Sequence, residues 1–74
     1  MKSLIKPDRL NVLIGEAGGL SKFCRLNGIT RNVVCRVLRG EGEFLLKTVM
    51  HICQNGDASI DWLIGRTEER RLVR

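Results

Sequence analysis

Basic side chains are concentrated in one short part of the sequence, and their chemistry indicates what they could bind. Between Leu20 and Gly40 there are no acidic residues and five basic ones: Lys22, Arg25, Arg31, Arg36 and Arg39. The remaining chain has eight bases and eight acids, so the whole net charge of +5 lies in these twenty-one residues. Because such a cluster repels itself and has no acid to pair with, it predicts a polyanionic partner.

Metal binding, disulfide formation and catalysis are the other chemistries that the residue types could support. The intervals between Cys24, Cys35, His51 and Cys53 match no zinc finger or zinc ribbon, so we expect no metal. There is no CxxC motif, and an odd number of cysteines favours reduced thiols. We recognise no nucleophile with a base, no paired carboxylates and no phosphate loop, so we predict no enzymatic activity and no cofactor.

Length and composition bound the class of protein. The chain has 74 residues, of which 43% are hydrophobic and 28% charged, so we expect one globular domain covering residues 1–74. Its longest apolar runs are three residues, whereas a transmembrane helix needs about 20. The first seven residues lack the apolar stretch of a secretory signal. The sequence therefore predicts a cytoplasmic protein that does not use a membrane.

Apolar residues recur with helical spacing in the first third of the chain. Pro7 and Asp8 suit the start of a first helix, which Gly18 and Gly19 would end. Its predicted buried stripe has the spacing i, i+3, i+4, i+7: Leu10, Leu13, Ile14 and Ala17. A second helix of about two turns is predicted from the same spacing: Leu20, Phe23, Cys24 and Asn27.

A glycine turn joins the second helix to a third. Gly28 can adopt a positive φ, Ile29 is expected in the core, Thr30 is expected to cap the third helix, and Gly40 ends it. At 100° per residue, one arc of this helix is apolar and predicted to be buried: Val33, Val34, Val37 and Leu38. The opposite arc is polar: Arg31, Asn32, Cys35, Arg36 and Arg39.

Two more helices complete the prediction of an all-α fold. After a loop at residues 41–43, a fourth helix that ends at Asn55 and Gly56 should bury one side: Leu45, Leu46, Val49, Met50, Ile52 and Cys53. Ser59 can cap a fifth helix with an apolar side of Ile60, Leu63 and Ile64. No stretch alternates with the period of two that is typical of strands. We expect the ordered core to cover about residues 7–65.

Two segments of the chain have residues in an order that resembles one known family. The first has a helix, a glycine turn and a helix with a basic outer face, with these residues in order: Phe23, Cys24, Gly28, Ile29, Thr30, Val34 and Gly40. The second runs from Ser59 to Gly65. Both resemble lambda-repressor-like (Xre/Cro) helix-turn-helix DNA-binding domains, and the second is similar to the ending of short phage and prophage regulators. The resemblance covers about residues 8–65 and implies a compact five-helix domain.

The resemblance also implies roles for individual residues. In relatives the first, second and sixth residues of the recognition helix touch base edges, and these match Arg31, Asn32 and Arg36. Arginine offers a planar fork to guanine O6 and N7, and asparagine can pair with adenine N6 and N7. Contacts to the DNA backbone are expected from four other residues: Lys22, Arg25, Thr30 and Arg39. The alternative for these side chains is an ordinary solvated face.

The function implied by the resemblance is that of a phage or prophage repressor. It would bind double-stranded DNA as a homodimer on a pseudo-palindromic operator. Trp62, Leu72 and Val73 are candidate dimer contacts, with a core position as the alternative for Trp62. A rival interpretation is an antitoxin-type module that binds DNA and also covers an enzyme with an exposed Trp62, Leu72 and Val73. The tail 66–74 could be flexible, a helical extension or a backbone-binding arm.

The three cysteines have different predicted surroundings. Cys24 and Cys53 fall on apolar helix faces and are expected to be small core residues. Cys35 falls on the polar arc of the third helix, where it is either a small spacer or a thiol whose oxidation would interfere with binding.

Overall fold

Five α-helices make up the fold in a computed structural model, which describes residues 4–71. They are α1 (Pro7–Glu16), α2 (Leu20–Asn27), α3 (Arg31–Leu38), α4 (Leu46–Gly56) and α5 (Ile60–Leu63). Residues 4–71 include no strand, so the prediction of an all-α fold is confirmed. None of the helices in this range has the length and apolar character needed to cross a bilayer.

The core lies where the five helices meet. Helix α1 packs against α2, α3 and α5, and α4 packs against α2 and α5. Every helix contributes at least one fully buried side chain to this core: Leu10, Phe23, Val34, Val37, Ile52 and Leu63. The stripes predicted for the first two helices are confirmed, because their members are buried or packed against the buried cluster.

The connection between α2 and α3 has the predicted geometry. Gly28 ends α2 in the left-handed region with φ 66°, where a side chain would be strained. Ile29 packs against the core, and the Thr30 hydroxyl accepts a hydrogen bond of 3.4 Å from the backbone N–H of Val33. The capping role predicted for Thr30 is therefore confirmed, as is that of Ser59, whose hydroxyl accepts from the N–H of Trp62 at 3.1 Å.

The prediction that α4 buries six apolar residues is wrong for half of them. Leu45, Leu46 and Met50 are exposed, and the core at this end of the helix is filled by Phe44 from the preceding loop. Helix α4 begins at Leu46, so Leu45 is an extended flanking residue that is 77% exposed. Met50 lies about 100° around the helix from the buried Val49 and points away from the core.

Two further apolar residues that were predicted to be buried are exposed. Val33 is 39% exposed, because α3 packs through Val34 and Val37, which are three residues apart on one line of the helix. Ile60, the first residue of α5, is also exposed, whereas Leu63 is fully buried. Both exposed residues lie at the margin of a buried stripe rather than within it.

Candidate nucleic-acid interface

Arg31, Asn32 and Arg36 form one exposed polar surface on α3, which we call the α3 face. All three are exposed, whereas Val34 and Val37 on the opposite side of the helix are buried in the core. Within residues 4–71, no side chain forms an ion pair or hydrogen bond with these three. The α3 face therefore presents two guanidinium groups and one amide that have no side-chain partner in the described part of the chain.

The residues predicted to meet the DNA backbone are all at the surface. Lys22 and Arg25 are exposed on α2, which packs against α3, and Thr30 is exposed at the start of α3. Arg39 follows the last residue of α3. The fold thus brings the α3 face and these four residues onto a single helix-turn-helix unit. None of these positions is covered by the core.

An acidic partner for Arg39 was missed by the sequence analysis. The Nε of Arg39 lies 3.4 Å from a carboxylate oxygen of Glu41, which follows Gly40 in the loop after α3. The interpretation that no acid was available to the basic cluster is therefore wrong at this position. An exposed ion pair of this kind contributes only about 0–1 kcal/mol, so Arg39 can exchange Glu41 for another anion at little cost.

Helix α2 is held against α4 by a pair of asparagines. The buried Asn27 side chain donates to the carbonyl oxygen of Phe23 at 3.0 Å and accepts from the amide of Asn55 at 2.9 Å. This link fixes the carboxyl end of α2, from which the chain turns into α3. The sequence showed both asparagines near helix ends, but nothing in it indicated that they would meet.

Trp62 belongs to the core rather than to the surface. Trp62 is 8% exposed. The guanidinium carbons of Arg9 and Arg70 lie 5.2 Å and 5.4 Å from the centre of its ring. The burial supports the core alternative for Trp62 and removes the premise of an exposed tryptophan in the antitoxin interpretation. The other candidate dimer contacts, Leu72 and Val73, lie outside the described residues.

The segment after α5 folds back onto the domain. Arg70 pairs with Glu16 of α1, with one hydrogen bond of 2.7 Å, and donates to the carbonyl oxygen of Gly56 at 2.6 Å. Arg9 donates to the carbonyl oxygen of Thr67 at 2.6 Å. Arg71 forms an ion pair with Asp57. The engagement of Arg70 by Glu16 and by the carbonyl oxygen of Gly56 argues against a free backbone-binding arm, which was one alternative for the tail.

These ion pairs make the packing around Trp62 sensitive to acid. The hydrogen bond from Arg70 lowers the pKa of Glu16, and the hydrogen bond from Arg71 lowers that of Asp57. A carboxylate with a lowered pKa in the folded state stabilises at neutral pH and loses this effect as the pH falls through the lowered value. The contacts of residues 70 and 71 should therefore be complete at neutral pH and should weaken as the pH falls through the lowered pKa values of Glu16 and Asp57.

We expect Glu16→Gln to increase the solvent exposure of Trp62 at pH 7, as acidification does in the unmodified protein. Trp62 is the single tryptophan, so quenching of its fluorescence by acrylamide reports its exposure directly. Quenching should increase in Glu16→Gln and increase on acidification of the unmodified protein. Glu69→Gln is the matched control, because the Glu69 side chain is exposed and forms no hydrogen bond or ion pair within residues 4–71. Equal quenching in both variants would contradict the role given to Glu16.

The cysteines differ in accessibility as the sequence indicated. Cys24 and Cys53 are buried, and burial raises the pKa of both thiols. Cys35 is half-buried on α3, and all three are free thiols. Within residues 4–71, no three histidine, cysteine or acidic side chains come close enough together to hold a metal ion. Cys35 is therefore the thiol most open to reagents.

The order and lengths of α2, the Gly28 turn and α3 are consistent with a small helix-turn-helix domain. No family model matches the chain, and no solved structure is significantly similar to it. One curated relative, an uncharacterized HTH-type transcriptional regulator from Haemophilus influenzae, is 29% identical over 66 residues. The match covers 88% of this chain and 28% of the relative, so the chain spans little more than a quarter of that protein's length.

Proposed function

We propose that this chain, as a single domain of residues 1–74, binds double-stranded DNA sequence-specifically and regulates transcription. We further propose that it is a cytoplasmic homodimeric repressor of the phage or prophage type. The α3 face carries the proposal, because its three polar side chains are exposed and unpaired among the described residues while the same helix is anchored in the core. The relative from Haemophilus influenzae supports it, since that protein is named an HTH-type transcriptional regulator.

In this proposal α3 lies in the major groove and the α3 face reads bases. Arg31 and Arg36 each present a planar fork that fits the O6 and N7 acceptors of guanine. Asn32 can donate to N7 and accept from N6 of adenine. Burial of Val34 and Val37 and the cap at Thr30 support a fixed position of α3, so little ordering is needed on binding.

Four further residues hold the DNA backbone. Lys22, Arg25 and Arg39 supply positive charge to phosphates, and the Thr30 hydroxyl can donate to a phosphate oxygen while it accepts from Val33. These contacts set register and affinity and release counterions, so binding should weaken steeply with salt. Arg39 would exchange its exposed pair with Glu41 for a phosphate.

Selection of bound sequences from a pool of random duplexes tests the proposal. We expect enrichment of an inverted repeat whose half-sites are centred about 34 Å apart, one turn of DNA, with guanine and adenine at defined positions. A promoter that carries the selected sequence should be repressed when the protein is produced. Enrichment of no common sequence would contradict specific recognition, and a rise in transcription would identify an activator instead.

Alkylation of Cys35 is expected to block DNA binding. Cys35 lies on α3 between the base-reading residues, and a bulky adduct there would hold the helix away from the base edges. Gel shifts with N-ethylmaleimide-treated protein should show loss of binding in the unmodified sequence and retention in Cys35→Ser. Cys24 and Cys53 remain in both proteins and are buried, so they serve as internal controls. Equal inhibition of the two proteins would contradict a role for this position.

A further inference from the structure

The loop after α3 places acidic side chains at the end of the basic helix-turn-helix unit. We call residues 41–43, two glutamates separated by a glycine, the acidic loop. Helix α3 ends in a Schellman cap, in which Gly40 has φ 75° and the N–H of Glu41 donates to the carbonyl oxygen of Arg36 at 2.8 Å. A Cβ added at Gly42 would lie 3.4 Å from the Cβ of Arg36. The cap therefore fixes the acidic loop beside a residue of the α3 face.

The two acids of this loop have different partners. Glu43 accepts a hydrogen bond of 2.8 Å from the backbone N–H of Leu4, so the amino-terminal segment engages its carboxylate. Glu41 lies 3.4 Å from the Nε of Arg39, and both of these side chains are more than half exposed. Glu41 is therefore the acid of the loop that pairs with a residue of the proposed DNA-binding surface.

The stability of α3 does not account for an acid at this position. The carboxyl end of a helix is the negative end of its dipole, where a negative charge is unfavourable. The pair with Arg39 offsets this only weakly, because exposed ion pairs contribute little. The charge of Glu41 instead acts where, under the proposed function, Arg39 meets a phosphate of the DNA backbone.

We propose that Glu41 sets the affinity of the DNA site by competing with phosphate for Arg39 and by repelling the DNA backbone. This inference rests on the proposed function, in which Arg39 contacts a phosphate. That contact requires Arg39 to leave Glu41, and the freed carboxylate then lies near the phosphate with a like charge. The carboxylate retains a cation when phosphate counterions are released, so it also reduces the dependence of binding on salt. Glu41 thereby weakens binding to duplexes of every sequence and leaves base recognition to the α3 face.

Replacing Glu41 with glutamine tests this role in DNA binding. Glu41→Gln should bind all duplexes about two- to fivefold more tightly and increase the slope of log affinity against log salt by about one. Its base preferences should match those of the wild type. Glu69→Gln is the matched control, because Glu69 is exposed in the segment after α5 and makes the same change in net charge. An equal gain in both variants, or a changed base preference in Glu41→Gln, would overturn the proposal.

A double-mutant cycle tests the competition for Arg39 itself. In the wild type, Arg39→Ala should weaken binding less than about twofold, because Arg39 exchanges one anion for another. In the Glu41→Gln background the same change should weaken binding about fivefold, because Arg39 no longer leaves an acidic partner. Lys22→Ala on α2 is the control and should have the same effect in both backgrounds. Independent effects of the changes at residues 39 and 41 would overturn the competition.

Retention on heparin separates this inference from the proposed function, because heparin is a polyanion without bases. Glu41→Gln should elute at a higher salt concentration than both the wild type and Glu69→Gln. If the wild type binds no duplex and this shift is present, the proposed function is contradicted and the role of Glu41 is supported. Elution of Glu41→Gln together with Glu69→Gln would overturn the role of Glu41, whether or not duplexes are bound.

Discussion

Replacing Arg36 with alanine is expected to weaken operator binding by about 1–3 kcal/mol, which is roughly 5- to 150-fold in the dissociation constant. The Arg36 side chain is exposed and has no partner among residues 4–71, so its removal leaves no buried group unsatisfied. The loss should be concentrated at one base pair, where the variant tolerates any base. Dissociation constants for the operator and for its single-base variants would measure this.

Lys22→Ala provides the contrast that assigns the two kinds of contact. A phosphate contact carries no sequence information, so this variant should weaken all duplexes about equally and reduce the slope of affinity against salt by about one. Arg66→Ala is the control for loss of one exposed arginine outside the helix-turn-helix. If Lys22→Ala changed specificity and Arg36→Ala only the salt slope, α3 would not be the recognition helix.

The parts of this site that the sequence predicted depend on contacts near in sequence. Helical spacing separated the polar and apolar arcs of α3, and the cap at Thr30 and the turn at Gly28 each involve residues only three or four positions apart. Signals of this kind are local, because a hydroxyl or a glycine favours one backbone conformation independently of the rest of the chain. The exposure of Arg31, Asn32 and Arg36 follows directly from them.

Contacts between distant residues were not predictable in the same way. Arg9 reaches the carbonyl oxygen of Thr67, 58 positions away, and Trp62 is enclosed by arginines from α1 and from the segment after α5. Periodicity shows which residues share a helix face, but neighbouring elements decide how wide the covered part of that face is. For this reason Leu46, Met50 and Ile60 were assigned to the core although they are exposed.

The adjacent residues Val33 and Val34 test how much of one face of α3 is buried, because both can be replaced by alanine. Val34 is fully buried, so Val34→Ala should lower the free energy of unfolding by about 2–3 kcal/mol through lost burial and a residual cavity. Val33 is 39% exposed, so Val33→Ala should lower the free energy of unfolding by clearly less, about 1 kcal/mol or below. Urea denaturation would measure both free energies of unfolding if their dependence on urea concentration is the same in the two variants. Equal losses would mean that both valines are buried.

The Val34→Ala variant also connects the stability of the domain with DNA binding. One core in a chain of this length supplies only about 3–5 kcal/mol, so Val34→Ala should leave a measurable fraction of molecules unfolded at 25 °C. Its apparent affinity for the operator should fall only in proportion to that fraction, because the α3 face is intact in folded molecules. Arg36→Ala should do the reverse and lose affinity at unchanged stability. A loss of affinity in Val34→Ala beyond the unfolded fraction would show that this valine also fixes the orientation of α3.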